Sequence, residues 1–256
     1  MMNISTVTLI KSQFIEIVKN YKFFFIISLP VFFVCILSSY YEYLYIDPSV
    51  DISLFKLMYS LHVQIPYLVT CFVIINIHRF IILKEDLNYY SYSKKKFILL
   101  KYFLFGNLLL ILAIGPGILT YYFITHGINY FESSNQVWIF YIISIFLILL
   151  SLVIFFITYP FLALGLPTVA VGKKIKILEI WKLSKGFRKT LFLQILYIFG
   201  FHTITSISMS LIFFFNTDVY PLYFEIFDKL YYYFFEVLAV TCLSKTYLIW
   251  SEKNNI

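Results

Sequence analysis

The sequence has few charged residues: Asp, Glu, Lys and Arg make up 13% of its 256 residues, whereas 61% are hydrophobic. A water-soluble domain of this size needs more polar surface than this to cover its core. The composition therefore excludes an ordinary soluble globule and indicates a protein that lies in a lipid bilayer. The length suits one polytopic membrane domain over residues 1–256.

Cysteine is also scarce. Cys35, Cys71 and Cys242 each lie inside an apolar segment, and none has CxxC spacing. This pattern excludes a disulfide framework and a cysteine metal site. Walker A, HExxH and GxSxG signatures are missing as well. We therefore expect a protein without a metal or other cofactor, and one that is not an enzyme.

Long apolar stretches dominate the chain and alternate with short loops. Each is long enough to cross a bilayer as a helix, so the sequence predicts an all-α integral membrane bundle of about six transmembrane helices. The predicted spans are approximately 23–41, 62–83, 97–123, 137–164, 190–215 and 230–250.

Two of these spans carry alternatives. Gly115-Pro116-Gly117 predicts a kink or break in the third span. The charged residues Glu225, Asp228 and Lys229 indicate a turn on the outer surface, so the sixth span is placed from about Leu230. A start at Tyr220 stays open.

Lysine and arginine lie almost entirely in every second loop, and only Lys56 and Lys229 fall on the other side. The positive-inside rule then places both termini and the loops around Lys95 and Lys174 in the cytoplasm. The formal charge of +7 is thus interpreted as an orientation signal and as contact with anionic phospholipid headgroups. We expect no nucleic-acid partner.

The same order of parts occurs three times: a basic segment on the cytoplasmic side, a span out and a span back. This order predicts three tandem helical hairpins. The first basic segment has Ile10, Phe14, Ile17 and Tyr21 at helical spacing, which predicts an interfacial helix. The equivalent segments read LIKSQFIEIVKNYKFFF, LNYYSYSKKKFILLKYF and KILEIWKLSKGFRKTLF.

The third basic segment predicts an amphipathic helix around Ile177 to Phe187 in the inner interface. Trp181 is expected to face lipid tails or the bundle, with Lys182 and Lys185 toward headgroups and water.

Two stretches resemble a known family. PTVAVGKKIKILEIWKLSKGFRKTLFLQIL is similar to the bacterial glycerophosphodiester-phosphodiesterase membrane-domain-like superfamily, in which a span ending in proline meets a basic amphipathic helix. IHRFIILKEDLNYYSYSKKKF resembles a signature at the end of span two in such families in Gram-negative bacteria. The resemblance implies the membrane architecture and a bacterial inner-membrane location, without the hydrolase domain. The residues that match the signature are His78, Arg79, Phe80, Leu83 and Glu85, with Lys84 where glycine is usual.

Polar groups near the cytoplasmic boundary are the candidates for lipid or partner contact. Arg79 either clamps a lipid phosphate bidentately or extends its side chain to the interface as an anchor. The full set of candidates is His78, Arg79, Lys174, Trp181, Lys182, Lys185 and Arg188.

Glu236, His202 and Asn107 are candidate polar groups inside the membrane. An ionised acid in an apolar span is costly unless it is paired, protonated or hydrated. Glu236 with His202 would suit a polar pathway if both lie at one depth, whereas Asn107 is expected to bond between helices.

Three functions follow from these features. The first is a non-enzymatic membrane protein whose basic interfacial helices contact anionic lipid or a membrane partner. The second is a small permease or transporter subunit that uses Glu236 and His202. The third is a lipid-modifying membrane enzyme, for which His78 with Glu85 and Asp86 is the only cluster.

Overall fold

The computed structural model describes residues 5–45, 61–85, 96–131, 137–174, 177–214 and 222–254. Within these ranges all regular secondary structure is helical, which confirms the all-α prediction. A 3-10 turn, Ser184–Gly186, follows the seventh α-helix. The α-helices are α1 (Thr6–Lys19), α2 (Tyr21–Tyr45), α3 (Leu61–Leu83), α4 (Lys96–Phe131), α5 (Val137–Ala163), α6 (Gly165–Ala170), α7 (Ile177–Leu183), α8 (Arg188–Phe214) and α9 (Leu222–Asn254).

Five helices of the described ranges are long and apolar enough to cross a membrane: α2, α3, α5, α8 and α9. The predicted third span corresponds to α4, a helix of 36 residues whose described apolar stretch, Phe97–Leu109, is shorter than a full span. The chain is therefore an all-α membrane bundle.

The long helices pack as three hairpins, because α2 contacts α3, α4 contacts α5 and α8 contacts α9. Helix α9 also contacts α1, α2, α3 and α6. In its apolar span 61% of the residues are buried, against 11% in α5. Helix α9 thus lies at the centre of the bundle, and α5 lies at its periphery. The core around α2, α3 and α9 includes Ile27, Val31, Val73, Ile77, Val237, Leu238 and Cys242.

The last helix begins at Leu222, and the part of it that is apolar enough to cross a membrane begins at Ile226, between the two predicted starts of the span at Leu230 and Tyr220. The charged residues that suggested an outer turn lie inside the helix. One of them, Asp228, accepts a hydrogen bond from Ser206 Oγ of α8 at 3.3 Å. The pairing of α8 with α9 therefore extends the helix past residues that an isolated apolar span would exclude.

Helix α4 is unbroken through Gly115-Pro116-Gly117, so of the two predicted alternatives, a kink or a break, the break is absent. Thr120 Oγ1 bonds to the Pro116 carbonyl at 2.8 Å and to Ser151 Oγ of α5 at 2.9 Å. These contacts join α4 to α5 one turn after the proline.

Helix α1 forms as predicted, but its buried face differs. The buried residues are Thr6, Leu9, Gln13 and Ile17, whereas Phe14 of the predicted apolar face is 47% exposed. Helix α1 packs on α8 and α9, and these neighbours choose its inward face.

Candidate functional site

His78 joins the three hairpins in the centre of the bundle. Its side chain is 0% exposed. Its Nδ1 lies 2.7 Å from Ser244 Oγ on α9, and its Nε2 lies 3.2 Å from the Tyr102 hydroxyl on α4. One imidazole thus connects α3, α4 and α9, which come from different hairpins.

The hydrogen bonds of Ser244 assign the proton on this ring. Ser244 Oγ donates its single proton to the Val240 carbonyl at 2.8 Å. His78 Nδ1–H must therefore donate to Ser244. In a neutral ring, which burial favours, Nε2 then accepts from the Tyr102 hydroxyl. Both ring nitrogens of His78 thus have partners inside the protein, and its contact with lipid or a partner stays a prediction.

Arg79 lies next to this cluster, and its guanidinium hydrogen-bonds to other groups of the protein. Nε donates to Glu85 Oε2 at 2.7 Å, Nη2 pairs with Glu85 Oε1, and Nη1 donates to the Ala170 carbonyl at 3.0 Å. The Arg79 side chain is 11% exposed. Arg79 does bind an anionic group bidentately, as one alternative proposed, but that group is a carboxylate of its own chain. The structure therefore does not support a phosphate clamp at Arg79.

The turn that returns Glu85 to Arg79 depends on Lys84. Helix α3 ends at Leu83, and Lys84 has φ 55°, a left-handed conformation that glycine adopts without steric cost. This conformation gives a physical reason for a glycine at this position in the signature.

Replacing Lys84 with glycine is expected to raise the free energy of unfolding by about 0.5–1 kcal/mol, because it removes left-handed strain. Thermal unfolding in lipid-free detergent measures this change. Two controls are expected to do the reverse: Gly172→Ala, because Gly172 has φ 80°, and Lys101→Gly inside α4. If Lys84→Gly lost as much stability as Lys101→Gly, the inference that the left-handed conformation strains Lys84 would be contradicted.

The predicted amphipathic segment is helical, as α7 and the 3-10 turn after it. Ile180 is buried in a cluster with Leu164, Leu191, Tyr247 and Trp250. This buried cluster anchors α7 to the membrane helices.

The outer face of α7 combines apolar and basic groups. Leu178 and Trp181 are 77% and 42% exposed, and Lys182 and Lys185 are exposed beside them. Arg188 lies over the Trp181 ring, with Cζ 5.2 Å from its centroid, and donates to the Trp181 carbonyl at 3.0 Å. Arg188 therefore holds the tryptophan in place.

His202 and Glu236 lie at similar depth but do not pair. The His202 ring packs on Tyr231, Tyr232 and Phe235 of α9, with centroids 5.2–5.5 Å apart. Glu236 is half-buried. These two described side chains form no ion pair with each other, and Nε2 of His202 is buried without a hydrogen-bond partner in the described part of the chain.

The polar candidates do not converge on one place. Ser244, which holds His78, follows Glu236 by eight residues on α9, which is about 12 Å along a helix axis. Asn107 Nδ2 bonds to the Phe103 carbonyl in its own helix at 2.9 Å, and not between helices as expected. In the described part of the chain no three His, Cys, Asp or Glu residues form a group suited to a metal ion.

Fold and composition thus define a multi-span α-helical membrane protein. Comparison of the chain with protein-family models, with curated proteins and with solved structures gives no match. The resemblance to the glycerophosphodiester-phosphodiesterase membrane-domain-like superfamily stays a prediction.

Sequence reasoning missed the partners of His78 and Arg79. Tyr102, Ser244 and Ala170 lie far from them along the chain, and none belongs to a motif. The one available signal was general: a histidine inside a membrane bundle needs hydrogen-bond partners.

Proposed function

We propose that this protein is a non-enzymatic protein of the bacterial inner membrane, with both termini in the cytoplasm, whose basic interfacial helices bind anionic phospholipid headgroups. The orientation follows from the one-sided distribution of lysine and arginine. The location and the relation to the superfamily rest on the sequence resemblance, and a membrane protein partner is the alternative occupant of the same helices.

The observation that carries the proposal is the exposed face of α7. Ile180 ties α7 to the bundle, while Leu178 and Trp181 stay exposed next to Lys182 and Lys185. An apolar face bordered by lysines suits the boundary between acyl chains and headgroups, where each basic residue near an anionic surface contributes about 1 kcal/mol.

The separation of the polar candidates favours this function over the two others. A permease pathway would need Glu236 and His202 to act together, and they are not paired. A lipid-modifying enzyme would need an accessible histidine, whereas His78 is fully buried between Ser244 and Tyr102.

Trp181 offers a local test of lipid binding. In a protein with Trp138→Phe and Trp250→Phe, it is the single tryptophan, because the chain has three. We expect brominated phosphatidylglycerol to quench its fluorescence more strongly than brominated phosphatidylcholine. In Lys182→Gln/Lys185→Gln this preference should fall by about tenfold or more, since two headgroup contacts are lost.

The matched control is Lys11→Gln/Lys19→Gln, which removes the same charge from exposed positions of α1. It should leave the quenching of Trp181 unchanged. Equal quenching by both lipids in the parent protein would overturn the proposal for anionic lipid and favour a protein partner for α7.

A further inference from the structure

Two basic loops that are distant in sequence meet at one place in the structure. Arg79 of α3 donates to the carbonyl of Ala170, the last residue of α6. A Cβ at Gly172 would lie 3.6 Å from Ile98 Cδ1 in the first turn of α4. The ends of α3 and α6 and the start of α4 thus form one junction.

The exit of the chain from α6 is held by backbone hydrogen bonds. Gly172 N–H donates to the Val169 carbonyl at 2.9 Å, and Lys173 N–H donates to the Thr168 carbonyl at 3.0 Å. With Gly172 in the left-handed conformation, this is a Schellman motif. It places Lys173 and Lys174 at a defined position beside α4.

Four exposed lysines lie on the segments that meet at this junction: Lys84 after α3, Lys101 near the start of α4, and Lys173 and Lys174 after α6. We call them the junction lysines. Glu85 is neutralised by Arg79. Lys84 directly follows the C-terminus of α3, and Lys173 lies three residues after that of α6; positive charge near such an end also offsets the helix dipole. Lys101 is in the second turn of α4 and has no such terminus to compensate, so an external anion explains it better.

An apolar stripe continues from these lysines along α4. Leu100, Leu104 and Leu108 are 54%, 57% and 43% exposed, and their spacing puts them on the same face of the helix as Lys101. A phosphate at the lysines would therefore have its acyl chains beside this stripe. A soluble anion would use the lysines alone.

From this arrangement we propose that the junction lysines and the Leu100–Leu104–Leu108 stripe form a site for one anionic diacyl phospholipid, separate from α7. This inference takes its class of ligand, an anionic phospholipid, from the proposed function. It adds a binding site for that ligand at α3, α4 and α6.

Native mass spectrometry of the full chain in neutral detergent with added phosphatidylglycerol tests this site. We expect Lys101→Gln/Lys173→Gln/Lys174→Gln to raise the apparent Kd for the first bound phosphatidylglycerol by tenfold or more. The charge-matched control, Lys189→Gln/Lys245→Gln/Lys253→Gln, removes three exposed lysines elsewhere and should change it less than twofold. An equal rise of the apparent Kd in both variants would show an effect of general surface charge and would contradict the site.

Two further measurements distinguish this site from a site for soluble phosphate and from lipid binding by α7. Glycerophosphoglycerol, the headgroup without acyl chains, should not displace the lipid at millimolar concentration; efficient displacement would show a site for soluble phosphate and contradict the inference. In a Lys182→Gln/Lys185→Gln background, the three junction substitutions should still raise this Kd by tenfold or more. A failure of the Trp181 quenching test would then overturn lipid binding by α7 while this site stands.

Discussion

Replacing His78 with alanine is expected to lower the free energy of unfolding by about 2–4 kcal/mol, because it opens a cavity among three hairpins and removes two hydrogen bonds. The side chain is 0% exposed and contacts Ser244 and Tyr102. Unfolding in mixed detergent micelles, followed by circular dichroism, measures the loss.

The partners of His78 provide graded comparisons. Ser244→Ala and Tyr102→Phe each remove one hydrogen bond and little volume, so each should cost about 0.5–1.5 kcal/mol. Leu68→Ala, at a position of α3 that is 41% exposed, is the control for truncation at the surface. A cost for His78→Ala no greater than that for Leu68→Ala would contradict the role of His78 in joining the hairpins.

Arg79→Lys is expected to cost about 1–2 kcal/mol, because an ammonium group cannot bind both oxygens of Glu85 and the Ala170 carbonyl at once. Arg79→Ala should cost more, since it leaves the carbonyl and the carboxylate without this partner. Thermal unfolding should show the same order of stability in lipid-free detergent and in phosphatidylglycerol nanodiscs, because the partners of Arg79 belong to the protein.

Glu85→Gln serves as the control for this pair. It keeps an oxygen acceptor for Arg79 but removes the charge, so its effect should lie between those of the parent and Arg79→Ala. Unchanged stability of Arg79→Lys together with weaker phosphatidylglycerol binding would instead return Arg79 to the lipid contacts.

Most helix positions were predictable, because the signals that define them are local. Span two was predicted as 62–83, and the helix there is Leu61–Leu83. Span four was predicted as 137–164, and the helix there is Val137–Ala163. Local signals failed where a neighbouring helix decides the outcome. The charges near Asp228 suggested a turn, and Ser206 of α8 hydrogen-bonds to Asp228 inside the continuous helix. The proline at Pro116 suggested a kink or break, and α4 continues through it and contacts Ser151 of α5 through Thr120.

The candidate site was predictable only in part. The pattern around Trp181 correctly predicted a helix, because amphipathic spacing is visible in one short segment. The same spacing rule did not find the inward face of α1, where Gln13 is buried and Phe14 is exposed. Helix α1 packs on α8 and α9, so its inward face depends on contacts with segments that are distant in sequence.

By itself, the sequence determined that the chain lies in a membrane as an all-α bundle, because hydrophobicity summed over about 20 residues is large enough to decide this without tertiary contacts. The tertiary structure alone decided what His78 and Arg79 do. Both carry groups able to bind a ligand, and only packing between distant segments brings Ser244, Tyr102 and Ala170 within hydrogen-bond distance of them. The same packing brings the start of α4 to the end of α6, because the partner of a polar group in a bundle depends on which helices become neighbours.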